Sequence, residues 1–159
     1  MNVGRPLLAF GILVASSGAL SFLHPWGNLR AVPRNDAIMG GANVPTNVRL
    51  ILQNKCADCH SNNTHWPSYS RFAPGSWLME HDVHDAREHL NFSTWSQIDA
   101  DARIDLLAKI ATQSRKGEMP IKQYVWIHPS ARLTDDERRL LSTWARTERN
   151  RLRNETPQR

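Results

Sequence analysis

The chain holds two cysteines in 159 residues, and they stand three apart with a histidine directly behind them: Cys56-Ala57-Asp58-Cys59-His60. This is C-x-x-C-H, the attachment pattern for c-type haem. Two thiols at that separation match the two vinyl groups of one haem and add across them. The histidine that follows at once brings its imidazole beneath the iron as the proximal ligand. A chain built around such a group gains a large apolar plate in its core, which a domain of this size otherwise has difficulty assembling. Other uses of the pair fit the sequence less well. A thioredoxin-like redox pair belongs in a βαβ setting, and no strand pattern is present. A zinc site would have to recruit two of His81, His84, His89 and His128. A Cys56–Cys59 disulfide would close too short a loop to stabilise much. The expected cofactor is therefore one covalently attached haem c, held by Cys56 and Cys59 with His60 on the iron.

Haem is attached to c-type apoproteins on the outer face of the energised membrane, so the motif asks for an export signal. Pro6 to Leu23 supplies 18 residues without a charge, PLLAFGILVASSGALSFL, after Arg5. Leu7–Ala15 reads as the apolar core of a signal peptide, with Ser17-Gly18-Ala19 as small residues for cleavage. Alternatively the run continues through Leu20, Phe22 and Leu23 as an uncleaved signal-anchor, a transmembrane helix at the short end of the range, with Trp26 at the interface. Residues 1–23 are thus expected to be a signal peptide or signal-anchor helix. The rest should face the periplasm from a bacterial inner membrane, or be soluble there after cleavage.

The remainder reads as a linker, a helical domain and a tail. Residues 24–46 contain Pro25, Pro33 and Pro45 with Gly27, Gly40 and Gly41, and no periodicity survives there. Residues 47–149 read as the haem domain. Asn47–Gln53 forms a short apolar segment that delivers the cysteines, and Ser76–Leu90 has helical composition with Trp77, Leu78, Val83 and Leu90 toward the core. Thr94 and Gln97 suggest a capping box for a helix carrying Ile98, Leu106, Leu107 and Ile110, ended by Gly117. Thr134 and Glu137 form a second capping box, before a helix that buries Leu140, Leu141 and Trp144. Residues 150–159 read as a polar, basic tail. The expected fold is all-α. Hydrophobic residues at 40% and charged residues at 22% are ordinary for a globular chain. Neither the P-loop nor the dinucleotide glycine pattern is present. The net charge of +5 suits an acidic partner or anionic surface, but no nucleic-acid motif accompanies it.

A second iron ligand is sought in the loop Gly117-Glu118-Met119-Pro120. Gly117 permits the turn and Pro120 stiffens the backbone behind Met119, so its thioether is the expected distal ligand. The rivals are His81, His84, His89 and His128, and the alternative role for Met119 is gap-filling in the core. Trp66, Tyr69, Trp77, Trp95, Trp126 and Trp144 are expected mostly to wall the haem or fill the core. Trp66, Tyr69, Arg71, Arg87 and Trp126 are the candidate donors to the propionates.

Two segments, CADCHSNNTHWPSYSRFAPGSWLMEHDVHDAREHLNFSTW and KGEMPIKQYVWIHPSARLTDDERRLLSTW, together resemble the haem-binding domain family of small, membrane-anchored monohaem c-type cytochromes. The likeness runs from Cys56 to Trp144, about 90 positions. It implies a cytochrome c-like helical domain around one covalent haem, with Cys56 and Cys59 as attachment sites, His60 proximal and Met119 distal. Ser68, in the segment WPSYS, departs from it where a second bulky aromatic is expected. A His/Met-saturated iron leaves no open position for substrate, so the expected function is one-electron transfer between redox proteins of a respiratory or photosynthetic chain, and not catalysis. The alternatives are a haem-based sensor or peroxidase-like site with a labile sixth ligand, and a structural haem subunit of a larger redox complex.

Overall fold

The computed structural model describes residues 4–35 and 37–155, and among these there is no strand. The all-α expectation holds. Seven α-helices are found among the described residues: α1 (Gly4–Leu20), α2 (Thr46–Lys55), α3 (Ala57–His60), α4 (Gly75–His89), α5 (Ala100–Lys116), α6 (Lys122–Ile127) and α7 (Asp135–Glu155). Short 3-10 turns fill the connections at 29–31, 68–71, 92–97 and 129–131.

The core lies between α2, α5 and α7. Val48, Leu52, Leu107, Leu141 and Ala145 are buried there, and Trp95 and Phe92 close one end from the 92–97 turn. The most extensive packing is between α5 and α7. Their apolar positions recur at three and four residues and so form one stripe on each helix.

Helix ends follow local chemistry. The Thr134–Glu137 box forms as expected and is reciprocal: the Glu137 N–H donates to Thr134 Oγ1 at 3.2 Å, and the Thr134 N–H donates to Glu137 Oε2 at 2.7 Å. The box expected at Thr94–Gln97 does not start a helix. Asn91 Oδ1 accepts the Ser93 N–H and caps the 3-10 turn. Asp99 then caps α5 by accepting the Ala102 N–H at 2.8 Å, so α5 begins after Ile98.

Other expectations are revised by packing that no local pattern announces. In the 24–46 segment, Ile38, Met39 and Val44 are buried in the core, and the Met39 N–H donates to the Phe92 carbonyl at 3.0 Å. Met39 sits at φ 52, an uncommon conformation for a non-glycine residue, held by the surrounding core. Toward the C-terminus, α7 continues to Glu155 and does not give way to a tail at 150. Ala145, Glu148 and Leu152 continue its buried face, while Arg151 bridges Glu148 and Glu155, each at 2.6 Å. The remainder of the expected tail, residues 156–159, lies outside the described residues. On α4, Leu78 is exposed, and Met79, Glu80 and Val83 take the inner face. Trp126, expected against the haem or core, is 85% exposed.

Helix α1 stops at Leu20, and Ser21 and Phe22 turn back by hydrogen bonds to Ser17 and Ala19. Ser17 Oγ donates to the Ala73 carbonyl and Ser21 Oγ accepts the Ala73 N–H, so the helix end is clamped to the domain. Seventeen residues span ~26 Å at helical rise, short of the ~30 Å hydrocarbon core. Among the described residues, no helix is long and apolar enough to cross a membrane.

Candidate haem site

Helix α2 ends at Cys56, whose N–H still bonds the Leu52 carbonyl at 3.1 Å. The chain then winds directly into α3. Cys59 and His60 both donate their N–H groups to the Cys56 carbonyl, at 3.2 and 3.0 Å. Residues three and four apart on such a turn share a face, so Cys56, Cys59 and His60 are brought together by the turn itself.

A net of side-chain bonds fixes this turn. Ser61 Oγ donates to the Ala57 carbonyl at 2.7 Å, and Thr64 Oγ1 donates to the Asp58 carbonyl at 2.6 Å. Asp58 accepts the His65 N–H at 2.9 Å on one oxygen and the Tyr124 hydroxyl at 3.1 Å on the other. From α4, Arg87 Nε donates to the Ser61 carbonyl at 2.9 Å and Nη2 donates to Thr64 Oγ1 at 3.0 Å. The sequence offers no signal for Asp58 beyond its place inside the motif. The fold gives it the task of linking the motif to α6.

His60 has a defined orientation. Its Nδ1 lies 2.9 Å from the Leu90 carbonyl. A carbonyl only accepts, so Nδ1 carries the proton and neutral His60 presents a bare Nε2. Burial depresses the imidazole pKa below its ordinary value, outweighing the hydrogen bonds that raise it. A neutral imidazole with one nitrogen pinned is the form a metal ion requires. Phe92 packs beside it, with ring centroids 5.7 Å apart.

Both thiols are free and partly buried. Burial raises each to about 12, helped at Cys56 by the neighbouring Cys59 and at Cys59 by Asp58. They are therefore protonated at neutral pH, opposite to the depressed thiol of a redox-active C-x-x-C pair. Among the described residues, neither thiol belongs to a cluster of three candidate metal ligands. The one such group among those residues is His84, Asp85 and Glu88, largely exposed on α4, of which Asp85 also borders the cleft around the cysteines.

The cysteines, His60 and Met119 line one cleft with two lobes. One lobe of about 300 Å³ includes Cys56, Cys59, His60, Met119 and Tyr124. The other, about 230 Å³, is walled by Leu52, Phe92, Leu106, Ile110 and Leu141. Cys56, His60, His89 and Met119 belong to both. The lining is mostly apolar, and the lobes together fall in the usual size range of cofactor pockets. An apolar cleft with two thiols and an imidazole whose free nitrogen is unprotonated fits a haem.

Met119 reaches the cleft from the loop that follows α5. Gly117 has φ 70 and ends α5, its N–H bonding the Ser114 carbonyl while the Glu118 N–H bonds the Gln113 carbonyl, a Schellman motif. Met119 follows at 39% exposure. Of the rival histidines, His89 also lines the cleft, its Nδ1 donating to the Asp85 carbonyl at 2.8 Å. His81 and His84 lie outside both lobes beside Asp82, Asp85 and Glu88, and His128 bonds Tyr69 Oη at 2.8 Å. None of the expected propionate donors, Trp66, Tyr69, Arg71, Arg87 and Trp126, lines the cleft. Arg87 is occupied with the motif turn.

A family model described as a haem-binding domain matches residues 15–147. The chain belongs to this haem-binding domain family. The match covers the packed 24–46 segment as well as the helices, so the family's unit includes the stretch that the sequence presents as a linker. No curated protein and no solved structure shows a significant match to the chain. This haem-binding domain thus combines an all-α frame with one apolar cleft, and the cleft contains both of its cysteines.

Proposed function

We propose that the chain is a monohaem c-type cytochrome that carries single electrons, with haem attached through Cys56 and Cys59, His60 as proximal ligand and Met119 as distal ligand. The observation that carries this reading is the cleft in which Cys56, Cys59, His60 and Met119 meet, with His60 Nδ1 bound to the Leu90 carbonyl. The bound group would supply reversible one-electron exchange at its iron. The chain's residues determine what surrounds it. The Leu90 carbonyl fixes the His60 tautomer, and its pull on the Nδ1 proton makes Nε2 a stronger donor. Met119 offers a neutral thioether, which favours ferrous iron more than imidazole does. Leu52, Phe92, Leu106 and Ile110 give the second lobe an apolar wall against which a bound group would lie out of water. Cys56 and Cys59 would hold the group as thioethers, the sulfur and hydrogen of each free thiol going to the two carbons of one vinyl.

The same reading places the domain on the periplasmic side of a bacterial inner membrane, delivered by its N-terminal segment. Leu7, Leu8, Phe10, Ile12, Leu13 and Val14 of α1 are all more than half exposed, which suits an export signal or an attachment that continues into the lipid surface. N-terminal sequencing of the mature protein tests this. A start near Leu20 means a cleaved soluble cytochrome, and an intact Met1 in the membrane fraction means retention. A start at Met1 in the cytosolic fraction would contradict export. Partners are then other redox proteins of a respiratory or photosynthetic chain.

The exposure of Met119 supports a second reading, a sensor or peroxidase-like site whose sixth ligand is displaced. Carbon monoxide separates the two. A saturated carrier does not bind it rapidly, and an open or labile site does.

A further inference from the structure

Behind the Met119 loop, on the side away from the cysteines, lies a second pocket of about 330 Å³ into which Lys122, Arg132 and Arg138 converge. Its floor is Gly117, Met119 and Pro120. Among the described residues, none of these three cations has an acidic partner. The nearby carboxylates are already used: Glu118 faces Lys116 at 3.8 Å and Glu137 holds Lys55 at 2.7 Å. Arg138 Nε is buried without an acceptor, a state that costs free energy and is rare unless a ligand or water completes it. Gly117 makes room for this guanidinium, since a Cβ there would stand 2.7 Å from Arg138 Nη1.

We propose that this pocket is an oxyanion site, taking a phosphate- or carboxylate-type anion on Arg138, Lys122 and Arg132. The planar guanidinium offers paired N–H donors to two oxygens, and the two flanking cations neutralise the remaining charge. The shared ligand chemistry has two sources, a free oxyanion or a propionate of the bound haem, because Met119 and Pro120 border this pocket and the haem cleft alike.

The test uses the purified full chain in chloride, titrated with inorganic phosphate by calorimetry at constant ionic strength. One saturable site is expected, weakened roughly tenfold or more by Arg138→Gln and by Lys122→Gln. Lys122 is exposed, so its variant keeps the fold if Arg138→Gln does not. Lys116→Gln, outside the pocket, should leave the affinity unchanged. If phosphate does not bind but both pocket variants shift the infrared carboxylate bands of isotopically labelled propionates, the anion is the haem's own. No phosphate binding with no propionate shift overturns the proposal. So does phosphate binding that ignores both pocket variants, or that Lys116→Gln weakens equally. Whether the sample carries haem is read separately from its absorption spectrum, so failure of this proposal is distinguishable from failure of the haem reading on which its propionate arm rests.

Discussion

At His60 one hydrogen bond decides which nitrogen is free. The Leu90 carbonyl holds the Nδ1 proton, and an asparagine at 60 could not supply the second, unprotonated nitrogen that the proposed ligation needs. Met119 is the other residue on which the account turns. Met119→Ala should lower the reduction potential, remove the sulfur-to-iron charge-transfer absorption and create carbon monoxide binding. Met119→His should keep a low-spin iron at a still lower potential, because imidazole donates more strongly to ferric iron. If the alanine variant leaves spectrum and potential unchanged while His89→Ala alters both, His89 is the distal ligand. That Cys56, Cys59 and His60 share one side of a turn was legible from their spacing of three and four residues, and Gly117 marks the turn that brings Met119 to the same cleft. The Leu90 carbonyl, Asp58 and Tyr124 were not. A backbone acceptor leaves no residue signature, and the Asp58–Tyr124 bond joins positions 66 apart.

Among the elements, the end of α5 and the length of α7 carry the sharpest consequences. Gly117→Ala would force φ 70 on an L-residue and press Cβ toward Arg138. A loss of about 1–2 kcal/mol is expected, seen as a fall of several degrees in the thermal midpoint. In α7, Glu148 is buried and accepts from the Asn43 N–H at 3.0 Å and from Arg151 at 2.6 Å. Burial alone would raise its pKa, but these hydrogen bonds outweigh it and hold the carboxyl below its ordinary 4.5. Its folded value is thus below its unfolded one, so the stabilisation is full above pH 4.5 and is lost as pH falls through the folded value. Glu148→Gln should cost about 2 kcal/mol near neutrality, and denaturant titrations should show the difference shrinking below pH 4.5. A constant difference from pH 7 to 3 would contradict this. The Thr134–Glu137 cap was readable because it is local. The run to Glu155 was not, since a charge-dense segment such as RTERNRLRNE resembles a frayed end until Leu152 and Glu148 find their partners in the core.

For the whole molecule, the core and the cleft are one construction. Leu52, Phe92 and Leu141 are buried core residues that also wall the cleft, so a bound haem would complete the packing between α2, α5 and α7. Cys56→Ala with Cys59→Ala should therefore yield protein without covalent haem and with a broadened, less cooperative thermal transition. Retention of a sharp transition at the wild-type midpoint would separate folding from the cofactor. The all-α class was legible from composition and caps, but the short helices α3 and α6 and the packing of residues 24–46 were not. In that segment prolines and glycines erase periodicity, and Ile38 and Met39 reach the core through contacts distant in sequence. The central claim is that haem is covalently bound through Cys56 and Cys59. Acidified butanone extraction of the denatured protein, followed by a pyridine haemochrome spectrum of both phases, tests it most directly. Haem of c type should remain with the polypeptide, and haem passing into the butanone would contradict covalent attachment.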